Sequence, residues 1–160
     1  MIKKEAAFKK FLFLAHSKTY AGTDEDRALT RCKKVKMLGH TEYSFSKDDW
    51  LYYDSYSGHI FPPGKEIVFY KNKPFWTMAY QGQFIENDLV KPDQSYAFLK
   101  EALRNTDENN PLRGPEKYEI EDWKYVFEKN GDWSYFIAKE QVFYKNKLVF
   151  FQNIMGSIFC

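Results

Sequence analysis

The stretch Lys65-Glu-Ile-Val-Phe-Tyr-Lys-Asn-Lys73 is repeated 74 positions later as Lys139-Glu-Gln-Val-Phe-Tyr-Lys-Asn-Lys147, with one difference. Each copy is rich in β-branched and aromatic residues and ends in Lys-Asn, which is typical of a strand that enters a tight hairpin turn. A match at an offset of 73 extends upstream and pairs Asp49-Trp50-x-Tyr52 and Gly58 with Asp122-Trp123-x-Tyr125 and Gly131. The sequence therefore predicts two copies of a three-stranded antiparallel meander, at residues 50–84 and 123–158.

A helix is predicted before each copy. The first runs from about Glu5 to Lys18 and ends near Gly22, because apolar residues recur there at helical spacing: Phe8, Phe11, Leu12 and Ala15. The second begins with Asp93 or Ser95 as its N-cap and has an apolar face of Tyr96, Leu99, Ala102 and Leu103. Residues 22–40 have no period and are predicted to form a long loop, and residues 105–115 a turn-rich one.

The fold class predicted from this pattern is α+β. It consists of an internally duplicated α-βββ unit, an antiparallel sheet with two helices, and a pseudo-two-fold relation between the halves. The chain of 160 residues has the length of a single domain, residues 1–160, with an N-terminal half 1–90 and a C-terminal half 91–160. Two copies are too few for a solenoid, so we expect the halves to share one core.

Composition and charge narrow the class of protein. The chain has 24 basic and 22 acidic side chains, a balance that makes nucleic-acid binding unlikely. Its apolar runs are too short for a signal peptide or a membrane span, and a cytoplasmic location is expected. Cys32 and Cys160 are the two cysteines, and we predict that both are free thiols, with Cys32 exposed in a lysine-rich loop.

The repeated strand places a carboxylate among aromatic residues in both copies. Alternate side chains of a strand share a face, so Glu66, Val68 and Tyr70 point one way, as do Glu140, Val142 and Tyr144. A carboxylate in such surroundings is either paired within the fold or left for a ligand. In the second case, an aromatic cleft with an acidic floor suits an organic cation.

The candidate ligand-binding residues are Glu66, Asp54, Tyr56, Trp76, Tyr80 and Glu140. Hairpin register decides which aromatic residues share the face of Glu66. A two-residue loop at Lys71-Asn72 selects Phe75, Thr77 and Ala79, and a three-residue loop selects Trp76, Met78 and Tyr80. Glu66 is favoured over Glu140, because the second copy has Phe150, Gln152 and Ile154 where the first has Trp76, Met78 and Tyr80.

Other chemistry has little support in the sequence. His16, His40 and His59 have no metal-ligand spacing, so neither a metal nor another cofactor is expected. We therefore expect a small-molecule or partner-sensing binding domain whose site lies at the junction of the halves. One alternative is a hydrolase-like enzyme with Glu66 or Glu140 as general base. A second is a protein-interaction or homodimerisation domain.

Motifs along most of the chain resemble those of a bacterial family of domains of unknown function. They are Thr19-Tyr20-Ala21, Tyr52-x-Asp54-x-Tyr56-x-Gly58, Gly64-x-Glu66-x-Val68, Pro74-x-Trp76-x-Met78-x-Tyr80-x-Gly82 and Arg113-Gly114-Pro115. That family occurs as small stand-alone proteins and as the C-terminal half of XRE-type helix-turn-helix transcription regulators. It has no established activity to carry over. Ala138 and Met155 depart from its pattern, which implies a more structural second copy.

Overall fold

The computed structural model describes residues 2–58 and 63–159, so the expectations for His59 and Cys160 lie outside the described residues. The elements in chain order are α1 Ile2–Lys18, α2 Asp24–Thr30, β1 His40–Lys47, β2 Trp50–Ser57, β3 Gly64–Tyr70, β4 Lys73–Phe84, α3 Pro92–Arg104, β5 Lys117–Ile120, β6 Trp123–Asp132, β7 Tyr135–Tyr144 and β8 Lys147–Ile158.

The eight strands form one antiparallel sheet in the order β1-β2-β3-β4-β8-β7-β6-β5. The strands of the first half thus meet those of the second through β4 and β8 at the centre. Both long helices pack on the same face, since Phe8 of α1 contacts Trp76 and Phe98 of α3 contacts Trp123. We call this the helix face and the opposite side the open face.

The two hairpin turns have the same conformation. Tyr70 pairs with Lys73 and Tyr144 pairs with Lys147, so each loop has two residues. All four loop residues, Lys71, Asn72, Lys145 and Asn146, have φ between 48° and 63°, as a type I′ turn requires. The sequence had left the choice between a two-residue and a three-residue loop open.

A β-bulge changes which aromatic residues share the face of Glu66 from those expected for a two-residue loop. The register shifts between Val68 and Phe69, so that Glu66 faces Met78 across the hairpin. Trp76, Met78 and Tyr80 therefore share its face, although the loop has two residues. An extra residue in one strand changes which alternate side chains point to a given face. The same shift occurs between Val142 and Phe143.

The α+β class is confirmed, while the expected detail of each half needs three corrections. Each half has four strands, because the edge strands β1 and β5 add to the meanders. The segment 22–40 contains α2, whose start is stabilised by a capping box of Thr23 and Asp26. The N-cap of α3 is Lys91, because Pro92 occupies the first helical position, where a missing N–H costs nothing.

The core lies between the helices and the helix face. Phe11 stacks on Trp50 with ring centroids 5.6 Å apart, and Phe98 stacks on Trp123 at 5.1 Å. The apolar stripe predicted for the first helix is buried. In the part of the chain that the structure describes, no helix is long and apolar enough to cross a membrane.

Cys32 differs from the expected exposed thiol. It is half-buried, because its N–H donates to the Glu42 carbonyl oxygen at 2.8 Å and draws the start of the loop against β1. It forms no disulfide with any described residue. Burial raises the pKa of its thiol.

Candidate functional site

Three carboxylates lie buried on the helix face where the two halves meet: Asp54 on β2, Glu66 on β3 and Glu140 on β7, each exposed by at most 1%. They are accompanied by His16 of α1 and Arg113 of the segment between α3 and β5, which are also buried. Burying charged groups is costly unless each is paired or hydrogen-bonded. The partners of each carboxylate therefore decide what the cluster can do.

Glu140 is fully hydrogen-bonded. Its Oε1 accepts from Arg113 Nε at 3.1 Å and from the Tyr125 hydroxyl at 2.7 Å. Its Oε2 accepts from Arg113 Nη2 at 3.5 Å and from the side-chain amide of Gln152. This arrangement is that of a satisfied structural ion pair.

Glu66 is bonded on one side only. Its Oε2 lies 2.8 Å from His16 Nε2, a contact that holds the end of α1 against the sheet. Its Oε1 lies 3.8 Å from Arg113 Nη1 and accepts no hydrogen bond from the described residues. Arg113 thus connects the two repeated glutamates but bonds closely only to the second.

Asp54 lies directly opposite Glu66 in the β2–β3 ladder. Its Oδ1 accepts from the Tyr80 hydroxyl at 2.9 Å, whereas Oδ2 has no donor within residues 2–58 and 63–159. Burial and the Glu66 carboxylate raise the pKa of Asp54 well above its usual value, against opposing effects of Tyr80 and Arg113. We call Asp54 Oδ2 and Glu66 Oε1 the two open acceptors.

A cavity of about 40 Å³ lies beside this cluster. Its lining is rich in tyrosine and comprises Tyr20, Asp54, Tyr56, Tyr80, Tyr96, Leu99, Lys100, Leu103, Arg113 and Gln152. The Arg113 guanidinium lies over the rings of Tyr20 and Tyr80, 4.8 and 5.3 Å from their centroids. Lys100 Nζ lies 4.7 Å above the ring of Tyr96. The cavity wall therefore already accommodates cations on its aromatic faces.

Two glycines give the tyrosine hydroxyls their room. A Cβ atom on Gly64 would collide with the Tyr80 hydroxyl that bonds Asp54. A Cβ atom on Gly114 would collide with the Tyr125 hydroxyl that bonds Glu140. These contacts explain why the motifs Gly64-x-Glu66 and Arg113-Gly114 carry glycine at those positions.

The residues predicted from the sequence lie in three places. Asp54, Tyr56 and Tyr80 line the cavity, and Glu66 and Glu140 lie behind its wall in contact with Arg113. Trp76 is a core residue whose indole N–H donates to the Trp133 carbonyl oxygen at 2.9 Å.

A wider groove of about 680 Å³ lies on the open face along the central strands. It is lined by Pro63, Gly64, Ala79, Tyr80, Gln81, Gly82, Gln83, Ile137, Phe151, Asn153, Ile154 and Met155, none of which is charged. This groove therefore offers no carboxylate to a ligand.

Sequence reasoning missed three residues of the site: His16, Tyr20 and Arg113. A signal existed for His16, which continues the buried stripe of α1 one turn after Leu12. Arg113 was visible only as part of the Arg113-Gly114-Pro115 motif in a segment predicted as loop. Thr106 Oγ1 lies 2.7 Å from the Arg113 carbonyl oxygen and helps to hold that segment inward.

Metal ligation has no candidate within the described ranges. No three histidine, cysteine, aspartate or glutamate side chains there are grouped so that they could hold a metal ion. The cluster can instead bind hydrogen-bond donors and positive charge.

The chain belongs to the DUF5680 family, a domain of unknown function, whose model matches residues 54–159. The matched part begins at Asp54 and contains Glu66, Arg113 and Glu140, whereas His16 and Tyr20 lie before it. No curated protein and no solved structure gives a significant match.

Proposed function

We propose that this domain binds a small organic cation in the tyrosine-lined cavity at the junction of its two halves. One observation carries the proposal: Asp54, which lines the cavity, has a buried carboxylate oxygen, Oδ2, without a hydrogen-bond donor among the described residues. A buried acceptor left without a donor costs stability. A ligand that supplies N–H donors would recover that cost.

The acceptor chemistry of the cavity favours a cation. Of its lining residues Asp54 is acidic, while Arg113 and Lys100 are basic, and both basic side chains are already engaged: Arg113 pairs with Glu140, and Lys100 lies over the ring of Tyr96. A ligand cation would find the open oxygen of Asp54 and the ring of Tyr56.

The volume of the cavity limits what enters it. About 40 Å³ holds a few water molecules or a small head group, while a drug-sized ligand needs roughly ten times more. We therefore propose that an ammonium or guanidinium group enters the cavity and that the remainder of the ligand stays outside, past Lys100. The half-buried side chain of Lys100 marks that edge of the cavity.

Calorimetric titration with ethylammonium chloride tests the proposal. Asp54→Asn removes the carboxylate that would pair with the bound cation and keeps an oxygen for the Tyr80 hydroxyl. We expect it to weaken binding by about thirtyfold, which is about 2 kcal/mol.

The matched control for this test is Glu119→Gln. It removes a carboxylate from an exposed position on β5 and should leave the affinity unchanged. Equal affinities of the Asp54→Asn variant and the unaltered protein would place the binding site elsewhere.

The hydrolase-like alternative has one supporting contact, the hydrogen bond between His16 and Glu66. A general base must reach the proton that it removes. Neither His16 nor Glu66 lines the cavity, and both are almost completely buried. Glu140 is equally enclosed and uses both oxygens for internal bonds. Ligand binding is therefore the better-supported function.

The homodimerisation alternative has its support on the open face. Ile137 and Met155 are 51% and 54% exposed beside the central groove. The partner that we consider for this face is a second copy of the chain. Eight strands about 4.8 Å apart give the open face an area of roughly 800 Å², which is the area that each partner buries in a standard interface. Sedimentation equilibrium that shows only monomer at high concentration would exclude this alternative.

We further propose that the two meanders are copies of one ancestral unit, as the shared turns, bulges and sequence suggest. The resemblance to the C-terminal halves of bacterial XRE-type regulators fits a sensory role, in which ligand binding is reported to a fused or separate partner. Fusing the domain to a helix-turn-helix segment and measuring DNA binding with and without ethylammonium would test that role.

A further inference from the structure

We infer that the cation enters in exchange for a proton held by Asp54, so the ligand is an amine or guanidine with N–H donors rather than a quaternary ammonium ion. This inference rests on the proposed cation site. When the cation binds, the protonated Asp54 carboxyl loses its proton to the buffer. The resulting carboxylate pairs with the cation.

The geometry makes Asp54 the proton carrier of the cluster. It opposes Glu66 across the ladder, and both side chains point to the buried helix face. Glu66 has the ring nitrogen of His16 at 2.8 Å, and Glu140 has Arg113 at 3.1 Å, whereas the close side-chain partner of Asp54 is the neutral Tyr80 hydroxyl at 2.9 Å. Of two adjacent buried carboxylates, the one without a close basic partner is the better place for a proton.

The groups that face Asp54 come from every neighbouring element. They are Tyr43 on β1, Tyr52 and Tyr56 on β2, Glu66 on β3, Tyr80 on β4, Tyr96 on α3, Tyr20 after α1 and Arg113 before β5. Burial raises the pKa values of Tyr20, Tyr52 and Tyr80 further above neutrality, so these hydroxyls keep their protons. Burial and the Glu66 carboxylate raise the pKa of Asp54 well above its usual value, so its carboxyl holds a proton more tightly than an exposed aspartate does.

The open acceptors define the chemistry of the ligand. The open oxygen of Asp54, which lines the cavity, calls for an N–H donor, and an ammonium or guanidinium group supplies one. A quaternary ammonium ion carries the same charge but no donor, so it would leave that oxygen unbonded. In the free protein a proton on the Asp54 carboxyl removes its charge, and this proton leaves when the cation binds.

The experiment is calorimetric titration of the full chain with ethylammonium chloride in phosphate and in HEPES buffer at matched pH. The two buffers differ in ionisation enthalpy, so the difference in observed heat counts the protons released. We expect about one proton per bound cation and an affinity that rises about tenfold per pH unit while Asp54 remains protonated. Asp54→Asn should abolish both effects, and Glu119→Gln should preserve them.

Tetramethylammonium chloride tests the need for N–H donors, and it should bind at least tenfold more weakly than ethylammonium.

The outcomes separate this inference from the cation site itself. Ethylammonium that binds with equal heat in both buffers, or tetramethylammonium that binds equally well, overturns the exchange and leaves the site standing. Proton release that persists in Asp54→Asn assigns the proton to another group, such as His16, and also overturns it. If neither cation produces heat or shifts the NMR signals of the cavity tyrosines, the proposed function fails and the exchange fails with it.

Discussion

Glu66 and Glu140 occupy equivalent positions in two strands of nearly identical sequence, yet their surroundings differ. Glu140 faces Phe127 and Gln152 in the ladder, and Glu66 faces Asp54 and Met78. The second half therefore supplies its glutamate with Gln152, Tyr125 and the close contacts of Arg113. The first half places a second acid opposite Glu66 in the ladder, and the close side-chain partner of Glu66 is His16 of α1.

The difference lies in which carboxylate oxygens are bonded. A carboxylate with every oxygen bonded stabilises a fold by fixing its neighbours, while one with an open oxygen costs stability. Glu140 and Arg113 connect the segment before β5 to the sheet. Asp54 and Glu66 each keep one open acceptor, and of the two residues Asp54 lines the cavity.

We expect the largest effect on stability at Arg113, because its guanidinium contacts both glutamates. Arg113→Met should lower the free energy of unfolding by about 4 kcal/mol, because Glu140 loses its counter-ion while remaining buried. Urea unfolding measures the change. The exposed Lys117, which pairs with Glu119 on the surface, provides the control, and Lys117→Met should change stability by less than about 0.5 kcal/mol. A loss as small as that of the control would mean that the junction does not depend on the ion pair.

Matched amide substitutions in the two halves should have opposite signs. Glu140→Gln should destabilise the protein by about 2 kcal/mol, since Arg113 loses a charged partner. Asp54→Asn should stabilise it by about 1 kcal/mol at neutral pH, because a buried acid is replaced by an amide that can donate toward Glu66.

The stabilisation by Asp54→Asn should depend on pH in one direction. Because the folded-state pKa of Asp54 is raised, the folded chain binds the proton more tightly than the unfolded chain. The contribution of Asp54 to stability is then greatest below its unfolded pKa and declines as pH rises toward the folded pKa. The gap between variant and unaltered protein should therefore widen from about pH 4 to about pH 8 in urea unfolding. A gap that narrows over this range would show that the native carboxylate is stabilised and not strained.

The smallest predicted effect concerns the edge of the cavity. Burial, together with the charges of Arg27 and Arg104, lowers the pKa of Lys100. The ammonium group of Lys100 lies over the ring of Tyr96. Lys100→Met should raise the affinity for ethylammonium about threefold, because a competing positive charge is removed.

Lys124 provides the control for Lys100, since its ammonium lies 5.5 Å above the ring of Phe143 in an equivalent cation–aromatic contact. Lys124→Met should leave the affinity unchanged, because neither Lys124 nor Phe143 lines the cavity. An equal gain from both substitutions would reflect net charge and not a local competitor.

The two long helices, the meander strands and the hairpin turns could be predicted because their signals are local, whereas the short α2 and the edge strands β1 and β5 were not part of the predicted units. Four apolar residues at helical spacing predicted α1. The two Lys-Asn pairs predicted the hairpin turns, and both residues of each pair have the positive φ that such a turn requires. The aromatic surroundings of Glu66 could not be settled in the same way. They depend on the β-bulge between Val68 and Phe69. The same residues are also compatible with a regular hairpin, so the sequence does not reveal the bulge.

The sequence by itself determined an α+β chain with two matching meanders, each with a glutamate on the face that becomes buried. Only the tertiary structure decided which partners these glutamates have. His16 and Glu66 are 50 positions apart, and Arg113 and Glu140 are 27 apart. Such pairs form only when the helices and the segment before β5 close over the sheet, because long-range contacts follow from packing and have no local pattern to reveal them.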